Sequence, residues 1–74
     1  MKPKENRFIR IQEPDDRTPN YYVIINKKSG QVIGWIDYYK NWKLFVFNPY
    51  QNTVWNSECL EFITNFLKSC VVTT

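Results

Sequence analysis

Chemistry in a protein begins with side chains that can move protons, attack carbonyls or hold metals, and this chain has few of them. It contains no histidine, which removes the commonest general base and metal ligand. Four of its seven carboxylates are explained without catalysis. Asp15 and Asp16 stand in a Pro-flanked loop. Glu58 and Glu61 sit at a helix start, where the macrodipole favours negative charge. A catalytic pair would need a cleft to push one carboxyl away from the other. The two cysteines, Cys59 and Cys70, fall in one helix, about 16 Å apart along its axis. A disulfide needs Cα atoms within about 7 Å, so they read as buried free thiols, which suits a reducing compartment. A helix start can activate a thiol, but no basic partner is evident near Cys59, which reads as an apolar filler. No CxxC, HExxH, P-loop or GxGxxG occurs, and Gly30 and Gly34 are the only glycines. The reading is no enzyme, no metal and no cofactor.

What remains is binding chemistry. The richest stretch, residues 35–43, interleaves aromatic rings with lysines around a turn. From it come the candidate partner-binding residues Tyr38, Tyr39, Lys40, Trp42 and Lys43. Aromatic anchors with a basic rim are what interface hot spots use. The same rings beside lysine could stack bases and neutralise phosphates, or simply hold a hairpin as cross-strand pairs.

These residues need a scaffold, and the pattern supplies one. Residues 8–11 alternate as a short strand. Residues 12–20, with two prolines and adjacent acids, form a loop. Residues 21–26 are β-branched and aromatic and make a strong strand. Residues 27–30 turn, with Gly30 able to take positive φ. A strand follows over 31–38, with Ile33 and Trp35 on one side and Val32, Ile36 and Tyr38 on the other. Gly34 inside it signals a bulge or a close neighbour, such as a ring lying across it. Residues 39–41 turn, Asn41 being tolerant of the left-handed region. Residues 42–47 form the next strand, which Asn48 and Pro49 end. Residues 53–55 are extended and suit a short edge strand. Asn56 or Ser57 caps a helix whose apolar stripe is Leu60, Ile63 and Leu67, flanked by Cys59, Phe66 and Cys70.

Strands first and one helix last is an α+β order. The expected fold is a three- to four-stranded antiparallel meander with the C-terminal helix packed on one face. The single domain divides into a flexible start at 1–6, strands and turns over 7–55, and the helix over 56–70. One helix leaves the other sheet face bare, and exposed rings there would mark a partner or a dimer mate.

Seventy-four residues permit one core, and a chain so short needs compensation for its small buried fraction. Three Trp, five Tyr and five Phe supply it. The net charge of +3 is mild and its cations are spread along the chain, unlike the clustered footprint of a nucleic-acid binder. No apolar run suits a signal or a membrane span, so a soluble protein inside the cell, away from the membrane, is expected.

Residues 34–49 resemble a pattern of small uncharacterised bacteriophage and prophage proteins. That pattern runs roughly G-x-I-x-W-Y-x-x-W-R-x-Y-x-F-x-P, then T-V-F or T-V-W, then C-L and an apolar helix. Gly34, Ile36, Trp42, Phe47 and Pro49 match, as do Thr53-Val54-Trp55 and Cys59-Leu60. The likeness covers about residues 21–67. Tyr38 replaces the pattern's Trp, Lys43 its Arg and Phe45 its Tyr, so an Arg-specific fork at Lys43 is lost. The resemblance implies a mobile-element origin and a cytoplasmic role in a bacterial host. The expected function is a non-catalytic phage or prophage accessory protein that binds a host or phage protein, inhibiting a host function or defence system. Self-association into a homodimer is a further expectation. The alternative is a small basic nucleic-acid-binding protein using the aromatic and lysine residues on the sheet. A sponge for a small nucleotide has no phosphate loop to support it.

Overall fold

The computed structural model describes residues 4–71. Its elements are β1 (Ile9–Gln12), β2 (Tyr22–Asn26), β3 (Val32–Tyr39), β4 (Leu44–Pro49) and α1 (Ser57–Ser69). The four strands form one antiparallel sheet in the order β1-β2-β3-β4, and α1 lies across one face. This is the expected α+β meander, with its full complement of four strands.

Each turn has a local cause. Between β2 and β3, the Asn26 side-chain oxygen accepts from the Lys28 and Ser29 N–H groups at 2.9 and 3.2 Å. Gly30 closes that turn at φ +76°. In the loop before β2, the Asp15 carboxylate accepts from the backbone of Arg17 and Thr18 and from the Thr18 hydroxyl. The β3–β4 loop is longer than expected. Tyr39 pairs with Leu44, and the Tyr39 carbonyl accepts from both Trp42 and Lys43 N–H. The left-handed residue is Lys43, at φ 55°, rather than Asn41. A loop of four residues places that conformation at its last position, so Trp42 belongs to the loop and not to β4.

The helix starts where the sequence indicates. Asn56 is extended, and its side chain accepts from Cys59 N–H at 2.8 Å. Arg7 donates to both oxygens of the Glu58 carboxylate at 3.0 and 2.8 Å, tying the first turn of α1 to the chain entering β1. The buried helix residues are Cys59, Ile63 and Phe66, with Phe62, Leu67 and Cys70 packed at the margin. The expected stripe is therefore rotated: Leu60 is 44 % exposed. The face is centred on the i, i+4, i+7 line from Cys59, which carries the largest apolar ring of the helix stripe, Phe66, into the core.

Beneath α1 the sheet contributes Ile9, Ile11, Ile24, Ile33 and Ile36, with Tyr22, Phe45, Phe47 and Trp55 partly buried around them. Ile24 and Ile36 are fully enclosed, at 0 % exposure. The expectation that Ile33 shares a side with Trp35 is wrong. Ile24 pairs with Gly34 and Ile25 with Val32, so the register shifts and Ile33 is the extra residue. That bulge places Ile33 in the core with Ile36 and leaves Val32 and Trp35 on the other side. Gly34 is also crowded: a Cβ there would meet Asn48 O at 3.0 Å and a Phe47 ring carbon at 3.3 Å.

Residues 53–55 are not a strand. Thr53 Oγ1 donates to Tyr50 O at 2.7 Å and accepts from Trp55 Nε1 at 2.7 Å, and the Trp55 ring packs edge-on against Phe47. The expected flexible start covers residues 1–3, which lie outside the described residues, and 4–6, which are hydrogen-bonded to β1: Ile11 N–H donates to Lys4 O at 2.7 Å and Asn6 N–H to Ile9 O at 3.0 Å.

Candidate functional site

Strand alternation decides what the helix does not cover. Ile9 and Ile11, Tyr22 and Ile24, and Phe45 and Phe47 face α1, so their neighbours face away. The bare face therefore carries Arg10, Val23 and Ile25 from the first two strands. β3 adds Val32, Trp35, Asp37 and Tyr39, and β4 adds Leu44, Val46 and Asn48. A solvated antiparallel face normally reads as polar. Here most positions are apolar, and Val32, Tyr39, Leu44, Tyr50 and Trp42 are all exposed, Trp42 at 66 % and Leu44 at 61 %.

Two aromatic pairs give this face fixed relief. Trp35 and Tyr50 meet edge-to-face at 5.2 Å, and Tyr39 and Trp42 at 5.0 Å with nearly perpendicular planes. The Asn41 amide donates to the Tyr39 hydroxyl at 3.1 Å. A groove of about 310 Å³ runs between this second pair and β4, lined by Tyr39, Trp42, Val46, Phe47 and Asn48. On the same face Asp37 accepts from Asn48 Nδ2 at 3.0 Å. Asp37 is half-buried, so its charge is met by a hydrogen bond rather than by a lysine.

The five candidate residues do not form one cluster. Tyr38 looks to the helix side, where its ring packs edge-on against Phe45 at 5.5 Å. Tyr39 and Trp42 stand together on the bare face. Lys40 and Lys43 are exposed at the hairpin tip. Sequence reasoning missed Leu44, Val46, Trp35 and Tyr50 as members of the same surface. The signal was present in β4, where Leu44, Val46 and Asn48 alternate with Phe45 and Phe47. In β3 it was scrambled by the bulge at Ile33.

The remaining chemistry is sparse. Cys59 is buried and Cys70 half-buried, neither in a disulfide, and the Cys70 thiol donates to Phe66 O at 3.4 Å. Among the described residues no three His, Cys, Asp or Glu side chains gather as metal ligands, and no helix is long and apolar enough to cross a membrane. Set against models of protein families, curated proteins and solved structures, the chain matches none.

Proposed function

We propose that this chain is a non-catalytic binding protein that receives a partner protein on its bare sheet face. The observation that supports this is the set of exposed large apolar side chains on one face, Val32, Leu44 and Tyr50 around the edge-to-face Tyr39–Trp42 pair. Buried in an interface, such rings remove much apolar area from water while losing little side-chain freedom. A protein partner fits this face better than nucleic acid does. Its lysines, Lys40 and Lys43, stand only at the tip, and the strands of the face bring one cation, Arg10, and one carboxylate, Asp37, which repels phosphate, short of the clustered cations a phosphate backbone needs. The resemblance of about residues 21–67 to phage and prophage proteins supports the biological half of the reading. The chain then acts in the cytoplasm of a bacterial host, occupying a host or phage protein and blunting a host function or defence.

The test compares the native chain with Trp42→Ala, immobilised and exposed to bacterial lysate. Because Trp42 is 66 % exposed, its loss leaves folding within about 0.5 kcal/mol of native. A lost hot spot weakens binding by about 2 kcal/mol or more, roughly thirtyfold. The supporting result is a protein held by the native chain, released by the variant, and insensitive to salt. Retention of single-stranded DNA with an affinity that falls steeply with salt, or the same proteins held by both chains, refutes the reading.

A further inference from the structure

The two edges of the sheet are finished differently. At the β1 edge the preceding residues fold back and satisfy the outward groups. Lys4 O accepts from Ile11 N–H at 2.7 Å, Ile9 O accepts from Asn6 N–H at 3.0 Å, and the Asn6 side-chain oxygen takes the Phe8 and Ile9 N–H groups at 2.9 Å each. Glu5 bridges to Arg10 in the same stretch.

The β4 edge has no such cover. Tyr50 N–H donates to Ile33 O at 3.0 Å, and the pairs Trp35–Asn48, Asp37–Val46 and Tyr39–Leu44 follow it at two-residue steps. Backbone groups alternate in direction along an antiparallel strand. Leu44, Val46 and Asn48 therefore bond to β3, and Phe45 and Phe47 turn their N–H and C=O groups outward. Among the described residues neither outward N–H finds an acceptor. The strand, Leu44-Phe45-Val46-Phe47-Asn48-Pro49, carries no charge; of the usual guards of an exposed edge, lysine, an inward charge, a covering segment or proline, it has only Pro49 at its end.

We propose that β4 pairs antiparallel with β4 of a second copy, about a twofold axis at Val46. One register satisfies the strand completely. With Val46 opposite itself, Phe45 of each copy lies opposite Phe47 of the other, and a directly opposed pair of outward residues exchanges both hydrogen bonds. Centring on Phe47 would set Phe45 against Pro49, which has no N–H. Centring on Phe45 would set Phe47 against Lys43, in its left-handed conformation. In the chosen register Phe45 and Phe47 stack across the axis on the helix side. The two bare faces join into one surface through their Val46 side chains. An uncharged strand has nothing to repel its own copy. The covered β1 edge stops growth, so the assembly closes as a dimer rather than a filament.

The experiment measures mass against concentration by sedimentation, together with amide exchange resolved by residue. The expected result is a monomer–dimer equilibrium in which the Phe45 and Phe47 amides slow by about tenfold or more as the dimer fills. The Leu44 and Asn48 amides, bonded to β3, are protected throughout. Val46→Lys places like charges against each other at the axis and should weaken dimerisation by at least about tenfold, with Leu44 and Asn48 protection intact. Should that variant misfold, an N-methyl group on Phe47, introduced by chemical synthesis, removes one outward donor and should have the same effect. Trp42 lines the same groove as Val46 but gives no backbone hydrogen bond across the axis, so Trp42→Ala leaves the dimer formed. A chain that stays monomeric at every concentration overturns the proposal. So does a dimer with freely exchanging Phe45 and Phe47 amides, or one that Trp42→Ala dissociates. Protection of those amides only on adding a foreign protein assigns the edge to another strand and also overturns it.

Discussion

Replacing Gly34 by alanine should destabilise the protein, although the same change in an ordinary strand stabilises it. Glycine inside a strand costs about 0.5–1 kcal/mol through the freedom it gives the unfolded chain. At Gly34 the added Cβ would lie 3.0 Å from Asn48 O, 3.4 Å from Pro49 Cα and 3.3 Å from the Phe47 ring. The ring can tilt. The Asn48 and Pro49 backbone cannot withdraw without opening the β3–β4 ladder where it meets the bulge. Overpacking of this kind costs about 1–3 kcal/mol, so after the gain of about 0.5–1 kcal/mol the net loss centres near 1 kcal/mol and reaches about 2.5 kcal/mol. A domain this small holds about 4–11 kcal/mol in total, and each kcal/mol moves the melting temperature by about 4–8 °C. Thermal melts followed by circular dichroism should therefore show Gly34→Ala falling by about 4–8 °C, and by no more than about 20 °C. Gly30 is the internal control: it has φ +76° and nothing within 4 Å, so only backbone conformation is at stake. Gly30→Ala should cost about 1 kcal/mol and Gly30→Asn should recover most of it, because asparagine tolerates the left-handed region. A Gly34→Ala protein that melts at or above the native temperature would refute the close approach of β4.

Ile63→Ala should lose about 2–5 kcal/mol, while Leu60→Ala, at a site 44 % exposed, should lose about 0.5 kcal/mol; equal losses in urea titrations would mean that α1 is rotated from the orientation described. The pH dependence has two limbs. Backbone N–H bonds from Arg17, then the Thr18 hydroxyl, hold the Asp15 carboxyl below its ordinary value, and the Lys27 ammonium does the same for Glu5. Their stabilisation is present above the unfolded carboxylate range of about 4 and is lost as pH falls through the lower folded values; Asp15→Asn should flatten that acid limb in melts recorded against pH. Burial, and then the neighbouring Cys70, raises the Tyr22 hydroxyl. Its contribution is complete below about pH 10 and lost as pH rises through the higher folded value, a decline that Tyr22→Phe should remove.

Much of this architecture is legible in the chain because local and tertiary preferences agree. The apolar runs at 21–26 and 31–38 could be little else than strands, and Asn56 with Glu58 announces a helix start. What was hidden depends on non-local facts. The rotation of α1 turns on whether Phe66 or Leu60 points inward, and either choice leaves an acceptable apolar face. The sheet, offering a pocket beside Tyr22, decides for Phe66, whose ring meets Tyr22 edge-on at 5.0 Å. The parity of β3 hinges on one extra residue beside Gly34. A bulge there can be suspected from sequence, but its consequence for Ile33, Trp35 and Tyr38 cannot be assigned until β2 and β4 fix the register. For the same reason residues 38–43 read as one aromatic cluster, although Tyr38 and Tyr39, being adjacent in a strand, must face opposite ways.

The composition of the bare face is the strongest argument that this domain works in company. A helix of thirteen residues spans about 20 Å and is roughly 10 Å across. Four strands spaced about 4.8 Å apart make a sheet of similar width, so α1, with Trp55 beside it, completes one face and nothing in the described chain remains to cover the other. Stability of the monomer does not require apolar side chains there: Trp42 and Leu44 are exposed to water already, and threonine, lysine or glutamate would serve a solvated face better. The proposed partner and the proposed second copy would each supply a cause for their presence. Two surfaces offer one, the face itself and the open β4 edge, and they meet at Val46, which lines the groove and stands at the centre of the edge strand. A charge at Val46 therefore disturbs both surfaces, whereas loss of the Trp42 ring disturbs the face alone. A chain in which the two substitutions had identical effects on partner binding and on self-association would be using one surface, not two.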